Sequence, residues 1–455
     1  MTTTKRFPLT LEMWIAFERM VYAAPRERDL IVADRLAAPE FDMLYNGTFG
    51  MENLWKRLLL QQTPHLQVVW RAPDGKIRLI AESHVAIPSR SYFCHSLSVA
   101  LGRQRVLFER AKRRIQRATS PCDFPLVEIS EHLAETSTAD VIRFALGHLS
   151  EKFANQFHKR LQRKGHWGIA VNNEGLPRDL SFLRKASAPD NANWCLQIPS
   201  PTERFYADPF PWRDADGRYH LFFEDLPYDT NKGVISHVAL DPATNTWKAP
   251  PHVVLERPYH LSYPFIFAYE GNVFMVPETS NNRTIEIYRA APFPSAWVLH
   301  TVLMENIVAA DTTLYYESGI WWLFTTIEQG EGPNWDELYL YHAPTPFGPW
   351  HAHPMNPIVS DCRRARMAGN IFRDVSNRLI RPAQNCEREY GSALWFCEIT
   401  ELSPTAYAET PLFSKEPPPA YVGFHTWNRV GEITVVDIKM NIKKRAKAKV
   451  IYRAL

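Results

Sequence analysis

The 455 residues are enough for two or three domains, and 52 Lys and Arg against 49 Asp and Glu leave the chain nearly neutral, so charge gives no reason to expect nucleic acid or another polyionic partner. Six cysteines with no CxxC pair exclude a zinc-finger spacing and read as reduced thiols. With no secretory pattern at the N-terminus and no apolar run of membrane-spanning length, the expectation is a cytoplasmic protein.

Residues 1–125 alternate helical and strand patterns and predict an α/β module. Helical periodicity covers residues 9–21, and residues 30–34 and 43–45 read as short strands. An amphipathic helix follows over residues 51–62. Residues 66–70 and 77–81 flank Asp74-Gly75, a strong hairpin signal. A further helix is expected over residues 95–116, with a basic face made of Arg103, Arg105, Arg110, Lys112, Arg113, Arg114 and Arg117. Such a face is ordinarily solvated, although it has the chemistry to meet phosphates. Neither GxGxxG nor GxxxxGK[ST] occurs. Residues 126–192 read as a helical segment, centred on 131–163, and then a linker rich in Asn, Pro, Asp and Ser.

From residue 193 a repeat begins. Tyr206-Ala207-Asp208-Pro209-Phe210 is followed by the turn residues Asp216-Gly217 and the aromatic run Tyr219-His220-Leu221-Phe222-Phe223-Glu224. Comparable pairs start near Tyr263, Asp311, Gly369-Asn370 and His425, a period of roughly 50 to 60 residues. Third strands and recurring tryptophans (Trp247, Trp297, Trp350) complete each unit. The expected architecture is therefore an α/β N-terminal module followed, over residues 193–440, by an all-β five-bladed propeller. Residues 193–198 supply a spare strand to complete the last blade. The basic tail at 441–455 is a solvated terminus or a contact to an anionic membrane surface.

Inner strands of a propeller converge on its central channel. Asp208, Asp311 and His425 hold that position, with Glu278 on a second strand. Carboxylates on different blades suit glycosidic chemistry, in which one group activates the attacking oxygen and another releases the leaving one. Arg363, Arg364 and Arg366 precede the fourth inner strand, and Arg381 with Gln384 follows on the next; guanidinium forks suit phosphate or carboxylate.

Tyr206-Ala207-Asp208-Pro209-Phe210, Tyr263-Pro264-Phe265, Val276-Pro277-Glu278-Thr279, Ala310-Asp311-Thr312-Thr313-Leu314 and Arg381-Pro382-Ala383-Gln384 resemble the N-terminal propeller of plant glucosamine inositolphosphorylceramide transferases. More broadly, the repeats resemble the propellers of glycoside hydrolase family 43, and bacterial relatives place such a propeller behind a formyltransferase-like module. The resemblance implies catalytic roles for Asp208 and Asp311. Met367-Ala368-Gly369-Asn370 stands where the hydrolases carry their acid, which makes Glu278 the substitute. Tyr263, Arg366, Arg381, Gln384, His425 and Trp427 become the expected substrate contacts. Neither cofactor nor metal is assigned, because a hard-cation site needs more converging oxygens than a sequence displays. The function expected is carbohydrate-active: glycosyl transfer from a phosphate-bearing sugar donor in surface-glycan synthesis. The alternatives are a non-catalytic propeller that binds a glycan or partner, and a divergent glycoside hydrolase.

Overall fold

The computed structural model describes residues 7–22, 41–118, 120, 124–130, 135–172, 195–198, 200–241, 244, 246–248, 250–328, 332–417 and 421–443. The strand expected at 30–34, most of the expected linker and the basic tail beyond 443 lie outside them. Four α-helices are described: α1 (Leu9–Tyr22), α2 (Glu52–Leu59), α3 (Phe93–Arg117) and α4 (Thr138–Leu161).

The N-terminal region corrects the α/β expectation. Its one described sheet runs Thr48–Phe49, Phe41–Tyr45, His65–Arg71, Ile77–His84, and every pairing in it is antiparallel. The two longest strands are joined by the tight turn at Asp74-Gly75, so no helix has to cross between parallel strands. What forms is a small antiparallel sheet with helices packed on it. Its core is its own: Leu54, Trp55, Leu58, Val68, Ile80, Phe93, Leu97 and Leu107 are buried together. The start of α3 is capped from another helix, since the N–H groups of Phe93 and Cys94 each donate to the buried Glu18 carboxylate at 2.8 Å. A negative charge there answers orphan donors and the helix dipole at once.

The rest of the described chain is β-structure in five antiparallel sheets of four or five strands, a propeller fold. The first four each come from one contiguous segment, in which alternating aromatic residues bury between neighbouring sheets: Phe210 and Phe222 of the first pack with Tyr263, Phe265 and Met275 of the second. The fifth is assembled from both ends, in the order Trp427–Val430, Ile433–Lys443, Gln162–Asn172, Cys195–Ile198. Residues 195–198 thus do form an outer strand. The strand before it, however, begins where the sequence predicted helix. Gln162–Asn172 leaves α4 directly and pairs along its length with Ile433–Lys443. This pairing joins segments some 270 residues apart and closes the ring, removing two sheet edges.

Three inner strands share one irregularity. Register shifts fall between Ala207 and Phe210, Ser262 and Phe265, and Ala310 and Thr313. Within each lies a non-glycine residue at positive φ: Asp208 (50°), Tyr263 (42°) and Asp311 (52°). Such backbone costs about 1–3 kcal/mol per residue and is held only by its surroundings. A bulge re-aims a side chain, here towards the middle of the ring. In the fourth sheet Gly369 takes this role at φ 131°, and regular pairing there shrinks to Phe372–Arg373. A Cβ on Gly369 would lie 2.2 Å from the Trp427 carbonyl oxygen. Gly369→Ala is expected to destabilise the protein by about 2 kcal/mol or more, read from the urea midpoint.

The N-terminal region is tied to the propeller by buried charge. Arg103 reaches Asp336 at 2.6 Å and Glu337 at 2.8 Å, and Arg110 also pairs with Glu337. The Ala86 N–H donates to Asp336, and the Cys362 N–H donates to the His84 carbonyl. Arg90 meets the Glu387 carbonyl. The contacted loops, 334–337 and 386–391, also carry residues of the site below.

Candidate functional site

The bulged backbone explains why acids gather at the centre. Each bulge frees an N–H, and the neighbouring blade answers it. The Asp208 N–H donates to Asp437 Oδ2 at 3.0 Å, the Tyr263 N–H to Asp208 Oδ2 at 3.2 Å, and the Asp311 N–H to Glu278 Oε2 at 3.4 Å. The Gly369 N–H donates to the Tyr263 hydroxyl at 2.8 Å. Three carboxylates therefore serve as inter-blade clamps whatever chemistry they also perform.

Asp208 lies buried in the first half of the site. Its Oδ1 accepts from the Thr426 hydroxyl at 2.9 Å and sits 3.2 Å from His425 Nε2. His425 Nδ1 lies 2.8 Å from Asp437 Oδ2. Asp437 also accepts the N–H groups of His425 and Thr426 at 2.9 and 3.0 Å. Burial pushes the Asp208 carboxyl up to about 7, with the His425 charge opposing it. For His425, burial disfavours the charged ring, yet Asp437 and Asp208 outweigh it and raise the imidazole to about 9. A proton-exchanging carboxyl near neutrality beside a cationic imidazole is an acid–base arrangement.

Asp311 forms the second half with residues from the fourth sheet. Arg366 donates to it from Nε at 2.5 Å and Nη2 at 3.2 Å, and Gln384 Nε2 donates at 2.7 Å. Burial lifts the Asp311 carboxyl well above its ordinary range, and Arg366 acts against that. Arg366 also reaches Glu278 Oε2 at 3.3 Å and Asn334 at 3.0 Å, so one guanidinium joins both acids. Its plane faces the Tyr390 ring at 4.9 Å; that ring packs edge-on against His425 (5.1 Å) and tilted against Trp335 (5.7 Å). Tyr390 and Trp335 are partly exposed aromatics on the loops that the N-terminal region holds. Flat rings beside carboxylates suit a sugar face.

Of the expected contacts, Tyr263, Arg366, Gln384 and His425 stand with Asp208, Glu278 and Asp311. Two do not. Arg381 is fully buried and donates two bonds to Glu409 and one to the Arg364 carbonyl, all at 2.8 Å, so its charge is spent inside the fourth sheet. Trp427, on the fifth sheet, is packed against Phe372 and Phe396 in the apolar core between the fourth and fifth sheets. Arg363 and Arg364 pair with Asp361, and Arg364 also with Glu409. Sequence reasoning missed Asp437, Thr426, Asn334 and Tyr390. Only Asp437 carried a signal, as a lone acid in the apolar run Ile433–Lys443.

Asp208, His425 and Asp437 each offer one ligand atom within 4.8 Å of the others, the one described cluster suited to a metal ion. Each of these atoms already answers another, so a paired acid–base triad accounts for the geometry as it stands. The triad makes a pH prediction. Below pH 6.5 both folded and unfolded chains hold the His425 proton; between 6.5 and about 9 only the folded chain does. Its stabilisation is therefore complete below pH 6.5 and lost as pH rises to 9, roughly 3 kcal/mol in all. The raised Asp208 carboxyl has the same sign, losing stability as pH rises from about 4 to 7. Melting temperature should fall from pH 6.5 to 9, and His425→Gln should flatten that slope.

A family model described as the N-terminal part of glucosamine inositolphosphorylceramide transferase 1 matches residues 191–442. The rice (Oryza sativa subsp. japonica) glucosamine inositolphosphorylceramide transferase 1 is 32% identical over 264 residues, 55% of this chain and 35% of that protein. The Arabidopsis thaliana protein of the same name is 30% identical over 287 residues, 60% of this chain and 37% of its own. The chain thus spans little more than a third of the length of these curated relatives. Among solved structures, an exo-β-1,3-galactanase from Clostridium thermocellum aligns over 50% of this chain and 58% of its own (TM-score 0.38, 11% identity). A family 117 glycoside hydrolase from Zobellia galactanivorans aligns over 60% and 90% (TM-score 0.37, 11% identity).

Proposed function

Starting from the fact that this chain belongs to the family of the glucosamine inositolphosphorylceramide transferase 1 N-terminal region, we propose that its propeller is a glycosyl-transfer site built on Asp208. The observation that carries this reading is the buried Asp208 carboxyl, poised near neutrality between Thr426 and His425 and close enough to Asp311 for its charge to be felt there. In the transfer, the acceptor hydroxyl gives its proton to ionised Asp208 while its oxygen bonds to the sugar's anomeric carbon. The bond from that carbon to the leaving oxygen breaks, and the leaving group departs with the electron pair. A donor whose leaving group is phosphate suits Arg366, the guanidinium that lies between Asp311 and Glu278. Among the expected arginines, Arg366 alone supports a phosphate-bearing donor, since Arg363, Arg364 and Arg381 are paired elsewhere. The relatives' names supply the substrate class we propose: an amino sugar and an inositol phosphate headgroup.

A second reading has its own observation. Arg366 is engaged with Asp311 and Glu278 together, so the cation and both carboxylates already answer one another, which favours a propeller that binds a glycan without turning it over. One assay separates the readings. The protein is incubated with nucleotide sugars and with inositol phosphate as acceptor in isotopically labelled water, and products are weighed by mass spectrometry. The transferase reading expects a glycosylated acceptor free of label. Labelled free sugar identifies a hydrolase, and saturable binding without product identifies the binding propeller.

A further inference from the structure

Outside the propeller's centre, the C-terminal half of α3 carries Arg110, Arg113, Arg114 and Arg117. Their i, i+3, i+4, i+7 spacing puts all four on one helix face. That face meets the rim of the third sheet at residues 354–356 and encloses a groove of about 510 Å³, with Phe124 and Met355 on its walls. The volume falls within the range of small-molecule sites.

The groove's charge is unbalanced. Arg110 pairs with Glu337, but Glu337 is already shared with Arg103. Arg114 is half-buried and donates to the Ile80 carbonyl at 2.9 Å; the other acid near it, Glu82, is bonded to His65. Arg113 and Arg117 are exposed and pair with no acid among the described residues. Burial and the neighbouring Arg110 charge both lower the Arg114 pKa, and the smaller opposing effects of Glu82 and Glu337 do not offset them. The C-terminus of a helix carries about half a negative charge, too little to offset them. A purely solvated basic face would point its arginines outward; here two of the four are fixed in the wall of a cavity.

We propose that this groove is an anion-binding site that takes a phosphate or diphosphate group, with Arg110 and Arg114 as its fixed wall and Arg113 and Arg117 closing over the ligand. It is separate from the Asp208 site, so it stands or falls independently of the transfer reaction. The chemistry is shared by a soluble diphosphate and a phosphorylated lipid headgroup.

The test uses the full chain with inorganic pyrophosphate, followed by calorimetry and thermal melting, and with vesicles of phosphatidylcholine alone or containing phosphatidylinositol 4-phosphate. Pyrophosphate is expected to bind and raise the melting temperature, more weakly as salt increases. Arg113→Gln with Arg117→Gln should weaken binding about tenfold or more while leaving the unliganded melting temperature unchanged. The corresponding double lysine variant should retain most of the affinity. Binding of pyrophosphate without vesicle association points to a soluble diphosphate; vesicle binding that pyrophosphate competes away points to a headgroup. Failure of both probes to bind the native chain, or equal binding by the glutamine variant, would overturn the proposal.

Discussion

Asp437→Ala should be the most damaging single change in the propeller, lowering stability by about 3–5 kcal/mol, the cost of leaving a buried ionic partner alone. One carboxylate accepts the N–H groups of Asp208, His425 and Thr426 and lies against the His425 ring. Its removal strands three backbone donors and a buried cation. Asp437 lies in the strand that pairs with Gln162–Asn172, so the loss also loosens the closure of the ring. Equilibrium urea unfolding measures the effect. Asp437→Asn should keep the shape but turn an NH2 towards donors, recovering less than half of the loss. A decrease below about 1 kcal/mol for the alanine variant would mean that the triad is not ionised as described.

Arg381→Ala should cost a similar amount, about 3–5 kcal/mol, because Glu409 would remain buried and charged in the fourth sheet. Its effect on ligands should be nil in whatever fraction stays folded. Pairing Arg381→Met with Glu409→Leu should restore most of the stability, since apolar residues of similar volume replace a buried ion pair at little cost. Denaturation of the single and double variants forms a mutant cycle. Loss of sugar-phosphate affinity without loss of stability in Arg381→Ala would return this arginine to the ligand.

Asp208, Tyr263 and Asp311 were legible in sequence because each sits at the same offset from a turn and an aromatic strand, and the bulge that aims them recurs with the repeat. Glu278 could be placed by the same offset. Their partners were hidden because they come from neighbouring sheets far away in sequence: Asp437 meets Asp208 across 229 positions, and Arg366 meets Asp311 across 55. Arginine-rich stretches misled for a related reason. Arg366 and Arg381 look equivalent in sequence, but burial with Glu409 takes Arg381 out of the site. Only the first residues of the strand Gln162–Asn172 fell within the expected helical stretch, and the strand itself went unread because its pairing partner lies near the other end of the chain. The N-terminal region was assigned to α/β from its alternation of helical and strand patterns, which reveals no strand direction beyond the one hairpin at Asp74-Gly75.

The central claim is that Asp208 moves a proton during sugar transfer and is not merely the clamp on the Tyr263 N–H. Asp208→Asn separates these roles, since asparagine keeps its one oxygen for that N–H and can turn its NH2 to the Thr426 hydroxyl, which then accepts, but it cannot take a proton. Turnover and calorimetric affinity should be measured together on wild type and variant with the same sugar phosphate. The account predicts affinity within about tenfold of wild type and turnover lower by about 1,000-fold or more. Turnover and affinity falling together, or turnover unchanged, would contradict it.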